Sequence, residues 1–102
     1  MLLCLDPGGC VIDCHILAQG TTSMVELSAR EIMNHVLQDK AARAVLAHNH
    51  VSGVALPSSA DVEATARIFH MLRTVGVELV DHLIFSDGDF VSMRESGHFA
   101  YF

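Results

Sequence analysis

His48 and His50 stand two positions apart, Ser58 follows after seven intervening residues, and Asp61 comes three later. On a strand, residues two apart point to one face, with Cα atoms roughly 6.5 to 7 Å apart. Two imidazoles so placed can converge on one cation at about 2.0 to 2.1 Å per Zn–N bond. On a helix the same spacing would splay them. If the segment after His50 turns back, Asp61 falls in the first turn of the next helix and can aim its carboxylate at the same point. Two histidines and one carboxylate leave one coordination position open, the layout of a catalytic Zn2+ rather than a closed structural one. A water in that position has its pKa lowered towards about 7. Ser58 can donate a hydrogen bond to an oxyanion forming on a substrate carbonyl. Taken singly, each residue has a plainer reading: Asp61 complements a helix dipole, Ser58 caps the helix, and the histidines are loop polarity. Their joint occurrence at the mouth of a buried strand favours a shared site.

The surrounding elements must supply that strand–loop–helix. Ala44–Ala47 is short and wholly apolar, as a strand buried on both faces is. His48–Pro57 has no period and contains Gly53 and Pro57, so it reads as a loop. Ser58 or Ser59 caps a helix to about Val75, with Ala64, Ile68, Leu72 and Val75 inward and Gly76 at the C′ position. Upstream, Leu2–Leu5 and Val11–Leu17 form a hairpin around Asp6-Pro7-Gly8-Gly9. Thr21–Leu27 is extended or loop. Ser28-Ala29-Arg30-Glu31 is a capping box opening a helix to about Asp39, with Ile32, Met33, Val36 and Leu37 on one face. Val77–Phe85 is a strand, Asp87-Gly88 a turn and Phe90–Met93 the return strand. Helices alternating with buried strands predict an α/β fold, a three-layer α/β/α sandwich around a mixed sheet.

Composition bounds the function. A chain of 102 residues makes one domain, and 51% apolar residues are enough for one core. The formal charge of −6, with no cluster of Lys or Arg, argues against a nucleic-acid partner. No apolar run reaches the roughly 20 residues that span a bilayer, and Met1-Leu2-Leu3-Cys4 is no signal peptide. Cys4, Cys10 and Cys14 are an odd count without framework spacing, which predicts free packing thiols and a cytoplasmic location. Cys10 and Cys14, roughly 13 Å apart on a strand, cannot bridge. Both ends of the chain are apolar, as at the cut edges of a longer protein or at a homodimer interface.

His-x-His, seven residues, Ser, two residues and Asp is the signature of the JAMM (MPN+) metalloproteases, and the sequence resembles that family. Leu46-Ala47-His48-Asn49-His50, Ser52-Gly53, Pro57-Ser58 and Asp61 look like its RadC branch in particular. Asp81-His82-Leu83-Ile84 and Val91-Ser92-Met93-Arg94-Glu95 look like that branch's last strands. The resemblance implies a JAMM fold, similar to cytidine deaminases, with Zn2+ on His48, His50 and Asp61. It gives Ser58 the oxyanion-stabilising role, and a peptide or protein as substrate. Two departures stand out. Val51 occupies the place of a usual Pro. The family's general-base Glu, by resemblance, precedes the first strand and so falls ahead of Met1; neither Glu26 nor Glu31 occupies that place.

Three readings follow: a zinc-dependent hydrolase of peptide or isopeptide bonds, a non-catalytic protein-binding module on the same fold, and a DNA-repair-associated factor as the RadC name suggests. A zinc deaminase would need a Pro-Cys-x-x-Cys ligand pair, which the chain lacks. Outside the signature, His82 is expected as a satisfied core or supporting histidine. His15, His35, His70 and His98 are expected at the surface. Asn49 should point away from the ligands and tie down the loop, and Met24, Met33, Met71 and Met93 should pack.

Overall fold

A computed structural model describes residues 1–17, 29–50 and 55–102. Two strands, β1 (Leu2–Leu5) and β2 (Val11–His15), precede helix α1 (Ala29–Gln38) and strand β3 (Arg43–Asn49). Helix α2 (Ser59–Arg73), strands β4 (Glu78–Ser86) and β5 (Asp89–Ser92) and a 3-10 turn (His98–Tyr101) complete the order. The extended segment expected at Thr21–Leu27, Glu26, Met24, Val51 and the Ser28 end of the expected capping box lie outside the described residues.

The strands form one mixed sheet in the order β2-β1-β3-β4-β5. Among the described residues, β3 and β4 pair in parallel and the other neighbours are antiparallel. Turn chemistry closes both hairpins. The Asp6 carboxylate accepts from the Gly8 and Cys10 amides at 2.9 Å each. Asp87 and Gly88 take φ of 44° and 81°, the mirror-image turn that matches strand twist.

Strands β2, β3 and β4 run in the same direction, and both helical crossovers step the same way across the sheet. Right-handed crossovers therefore place α1 and α2 on one face. The core agrees. Leu2, Cys4, Ala44, Leu46 and Leu79 lie on one sheet face by register. They form a single buried cluster with Ile32 and Val36 of α1 and with Ile68 and Leu72 of α2. The α/β class and the mixed sheet are as expected from sequence. The third layer is not supplied by the described residues, whose two helices share one side of the sheet.

Other differences are local. The strand expected to end at Ala47 continues through His48 and Asn49, because β4 offers a parallel partner as far as Phe85. Leu37 and Val75, expected on inner faces, are 53% and 39% exposed. On α1 only Ile32 and Val36, four apart, are fully inward, and Leu37 is rotated off that stripe. On α2 the chain turns away at Val75, since the Val77 amide bonds Leu72 O and the Gly76 amide bonds Arg73 O. That pattern is a Schellman motif, with Gly76 at φ 77° as the sequence suggested. No helix among the described residues is long and apolar enough to cross a membrane.

Leu46 is central to this arrangement: 1% exposed, paired with β1 and β4, and in one buried cluster with residues of both helices. Leu46→Ala is expected to cost about 2 to 5 kcal/mol of unfolding free energy in urea titrations. A loss below about 1 kcal/mol would mean that the shared helix face is not the core.

Candidate metal centre

The site forms where the parallel pair β3–β4 ends against the start of α2. His48 lies in β3, and the His50 amide continues the pairing by donating to Phe85 O at 2.8 Å. Extended backbone through both residues puts the two rings on one face, with centroids 4.8 Å apart. Asn49 between them is exposed. It points to the opposite face, as the period requires.

Across from these rings, α2 begins with a reciprocal cap. The Asp61 amide donates to Ser58 Oγ at 3.1 Å, and the Ser58 amide donates to Asp61 Oδ2 at 2.8 Å. The plain reading of Ser58 as a helix cap is therefore correct, and it also fixes the Asp61 carboxylate. Asp61 Oδ2 lies 2.9 Å from His50 Nε2, and Oδ1 lies 3.6 Å from His48 Nε2. One ligand atom from each of His48, His50 and Asp61 lies within 4.8 Å of the others. The structure thus brings the three sequence-picked ligands together, with the exposed Ser58 at the lip. Burial pushes the Asp61 carboxyl up, but the Ser58 amide and hydroxyl and the two imidazoles outweigh it and hold the group below its usual range.

Behind His48 lies a chain of hydrogen bonds that fixes its tautomer. The Thr65 hydroxyl donates to Asp61 O at 2.6 Å, since a carbonyl can only accept. Thr65 Oγ1 is then an acceptor for His82 Nδ1, also at 2.6 Å. With its proton on Nδ1, neutral His82 presents Nε2 as an acceptor, 3.0 Å from His48 Nδ1. His48 therefore carries its proton on Nδ1 and turns the Nε2 lone pair towards Asp61. Metal-ligating histidines are held this way, by a bond from the other ring nitrogen. A lone pair facing a carboxylate oxygen at 3.6 Å, too far for a hydrogen bond, suits a cation between them. Tetrahedral Zn2+ separates its ligand atoms by about 3.3 Å, close to these spacings. The donor set fits a divalent metal.

His82 is fully buried, as expected of a supporting histidine. Burial and the neighbouring His48 push its pKa down to about 3, so it stays neutral. Burial likewise lowers the pKa of His48. Two residues were missed from sequence. Thr65 had no motif to mark it, because its partner His82 is on another element. Ser86 lies at the end of β4 on the face of His82 and Ile84, and its Oγ is buried without a partner among the described residues. Ser58 as a cap of this helix and Asp61 in its first turn were, in contrast, expected from the sequence, and the structure joins them in a reciprocal cap.

Residues 1–98 match the RadC-like JAB domain model. The chain belongs to that family. It is 42% identical over 96 residues to a UPF0758 protein of Shewanella frigidimarina, covering 94% of this chain and 43% of that protein. UPF0758 proteins of Vibrio parahaemolyticus and Vibrio campbellii are each 41% identical over the same shares. The chain thus spans less than half the length of these relatives. Membership of the RadC-like family agrees with the resemblance read from the signature residues.

The lowered pKa of His82 makes stability depend on pH in a known direction. Its folded value lies below the unfolded value of about 6.5, so the unfolded chain takes up the proton first. The contribution is complete above about pH 6.5 and is lost as pH falls towards the folded value, at up to about 1.4 kcal/mol per pH unit. His48 acts in the same sense, whereas Asp39 and Asp61, both held low, titrate below this window. The urea midpoint should fall between about pH 7 and pH 5, and less steeply in His82→Gln. Equal slopes in the two proteins would contradict a buried neutral His82.

Proposed function

We propose that the chain is the metal-holding part of a zinc-dependent hydrolase of peptide or isopeptide bonds, of JAMM type. The observation supporting this reading most is the convergence of His48 Nε2, His50 Nε2 and the Asp61 carboxylate at the end of a strand pair. His48, His50 and Asp61 would hold Zn2+ between the strand end and the helix start. Zn2+ there would supply Lewis acidity and an activated water. The Ser58 hydroxyl, fixed at the lip by the helix cap, is placed to donate to the carbonyl oxygen of a peptide substrate as charge develops on it. His82 and Thr65 keep His48 in its ligand tautomer and hold no substrate themselves. The family resemblance assigns proton transfer to a glutamate ahead of the first strand.

A second reading, a protein-binding module without turnover, draws on one observation. Among the described residues no glutamate joins the cluster of His48, His50 and Asp61. Turnover of a peptide or isopeptide substrate by the protein would decide against it. The acidic balance of the chain continues to disfavour a DNA partner.

Elemental analysis tests the metal. His50→Ala is expected to hold about one Zn2+ equivalent less than the wild type. Thr65→Val leaves the three ligands in place but removes the acceptor for His82 Nδ1, and should weaken Zn2+ binding about 10- to 100-fold by calorimetry. Undiminished zinc in His50→Ala would remove the proposal.

A further inference from the structure

A second cluster of metal-ligating side chains lies at the other end of the sheet. Cys4 pairs with Ala44 at the start of β3, four residues and so about 13 Å along the strand from His48. Cys4 and His15 lie on the same sheet face, since Cys4 opposes Asp13 and Leu2 opposes His15 across the hairpin. Asp39 reaches them from the end of α1. One ligand atom from each of Cys4, His15 and Asp39 lies within 4.8 Å of the others. Asp39 Oδ2 is 2.7 Å from His15 Nε2. The His35 ring stacks on that of His15 at 3.8 Å and fixes its plane.

Two local features go against the ordinary preferences of a helix end. Asp39 sits at the C-terminal cap of α1, where the helix dipole disfavours a carboxylate. The turn that holds it there uses Lys40 at φ 52°, a left-handed conformation costly for a residue with a side chain. The Ala41 amide on Val36 O and the Lys40 amide on Leu37 O close this Schellman turn. A cation at Asp39 would offset the first of these. The three donors also differ in kind: one sulfur, one imidazole nitrogen and one carboxylate oxygen, a set that suits Zn2+ better than the hard cations.

We propose that Cys4, His15 and Asp39 form a second divalent-metal site of the zinc class, joining β1, β2 and the end of α1. Sulfur, nitrogen and oxygen come from three elements, and the fourth position opens to solvent past His15 and Asp39, whose side chains are 18% and 13% exposed. Binding displaces the Cys4 thiol proton to solvent. The site ties edge strand β2, whose residues are otherwise mostly exposed, to the rest of the sheet.

Cobalt spectroscopy tests this separately from the histidine-pair centre, which has no sulfur ligand. The 102-residue chain is used with exposed Cys10 and Cys14 replaced by Ser, and with His48→Ala and His50→Ala to remove the first centre. Titration with Co2+ should give a thiolate-to-cobalt charge-transfer band saturating at about one equivalent. Cys4→Ser should abolish that band. Because Cys4 is fully buried, His15→Gln serves as a second variant, with circular dichroism confirming the fold, and should weaken Co2+ binding at least about tenfold. A folded chain that shows no thiolate band, or a band unchanged in His15→Gln, would overturn the site and leave a plain histidine–carboxylate pair. Neither outcome touches the zinc content expected at His48, His50 and Asp61.

Discussion

A single proton, donated by the Thr65 hydroxyl to the carbonyl of Asp61, orders the rest of the site. It obliges Thr65 Oγ1 to accept, His82 to carry its proton on Nδ1 and His48 to do the same. Each step leaves no second choice, because every member is buried or half-buried and an unpaired nitrogen there would cost about 1 to 3 kcal/mol. The result is a lone pair aimed outward from the core at the place where the Asp61 carboxylate arrives. Protonating His82 would break the chain at its middle, and burial opposes that protonation.

The fold makes this convergence inexpensive. Ligands in open α/β sheets gather beyond the carboxyl ends of parallel strands, where side chains leave the sheet and the next helix begins. Here β3 and β4 are the parallel pair, and the N-terminus of α2 stands over their ends. The helix dipole favours a carboxylate in that first turn, so Asp61 is stabilised by the feature that positions it. The same helix, four residues on, supplies Thr65. One turn of α2 thus provides both the Asp61 carboxylate of the cluster and the hydroxyl that orients His82 behind His48. At the opposite end of the sheet the arrangement is inverted: Asp39 sits against the unfavourable end of its helix, where the His15 ring bonds it.

The centre was legible in the sequence because its residues are close along the chain. His48 and His50 share a face by the period of a strand. Ser58 and Asp61 share a helix cap by its three-residue step. The Asp6–Gly9 and Asp87-Gly88 turns and the Gly76 stop were equally readable, since each depends on local backbone chemistry. What escaped was set by tertiary placement. Thr65 and His82 meet across two elements with no spacing to announce it. His15 and His35 looked like scattered surface residues, yet they stack and face Asp39 once β2 lies beside β1. Cys4 read as a packing residue, which its burial supports, and nothing in the sequence placed Asp39 beside it. The α/β class was legible because helices alternate with strands, while the side on which each described helix packs follows from the handedness of successive crossovers.

The tautomer of His48 is the claim on which the site depends, and it can be measured without metal or substrate. Long-range proton–nitrogen correlation spectra of the 15N-labelled chain separate protonated from unprotonated ring nitrogens. At neutral pH the account predicts Nδ1–H with a bare Nε2 for both His48 and His82. A spectrum with the proton on Nε2 of His48, or a charged His82, would contradict it.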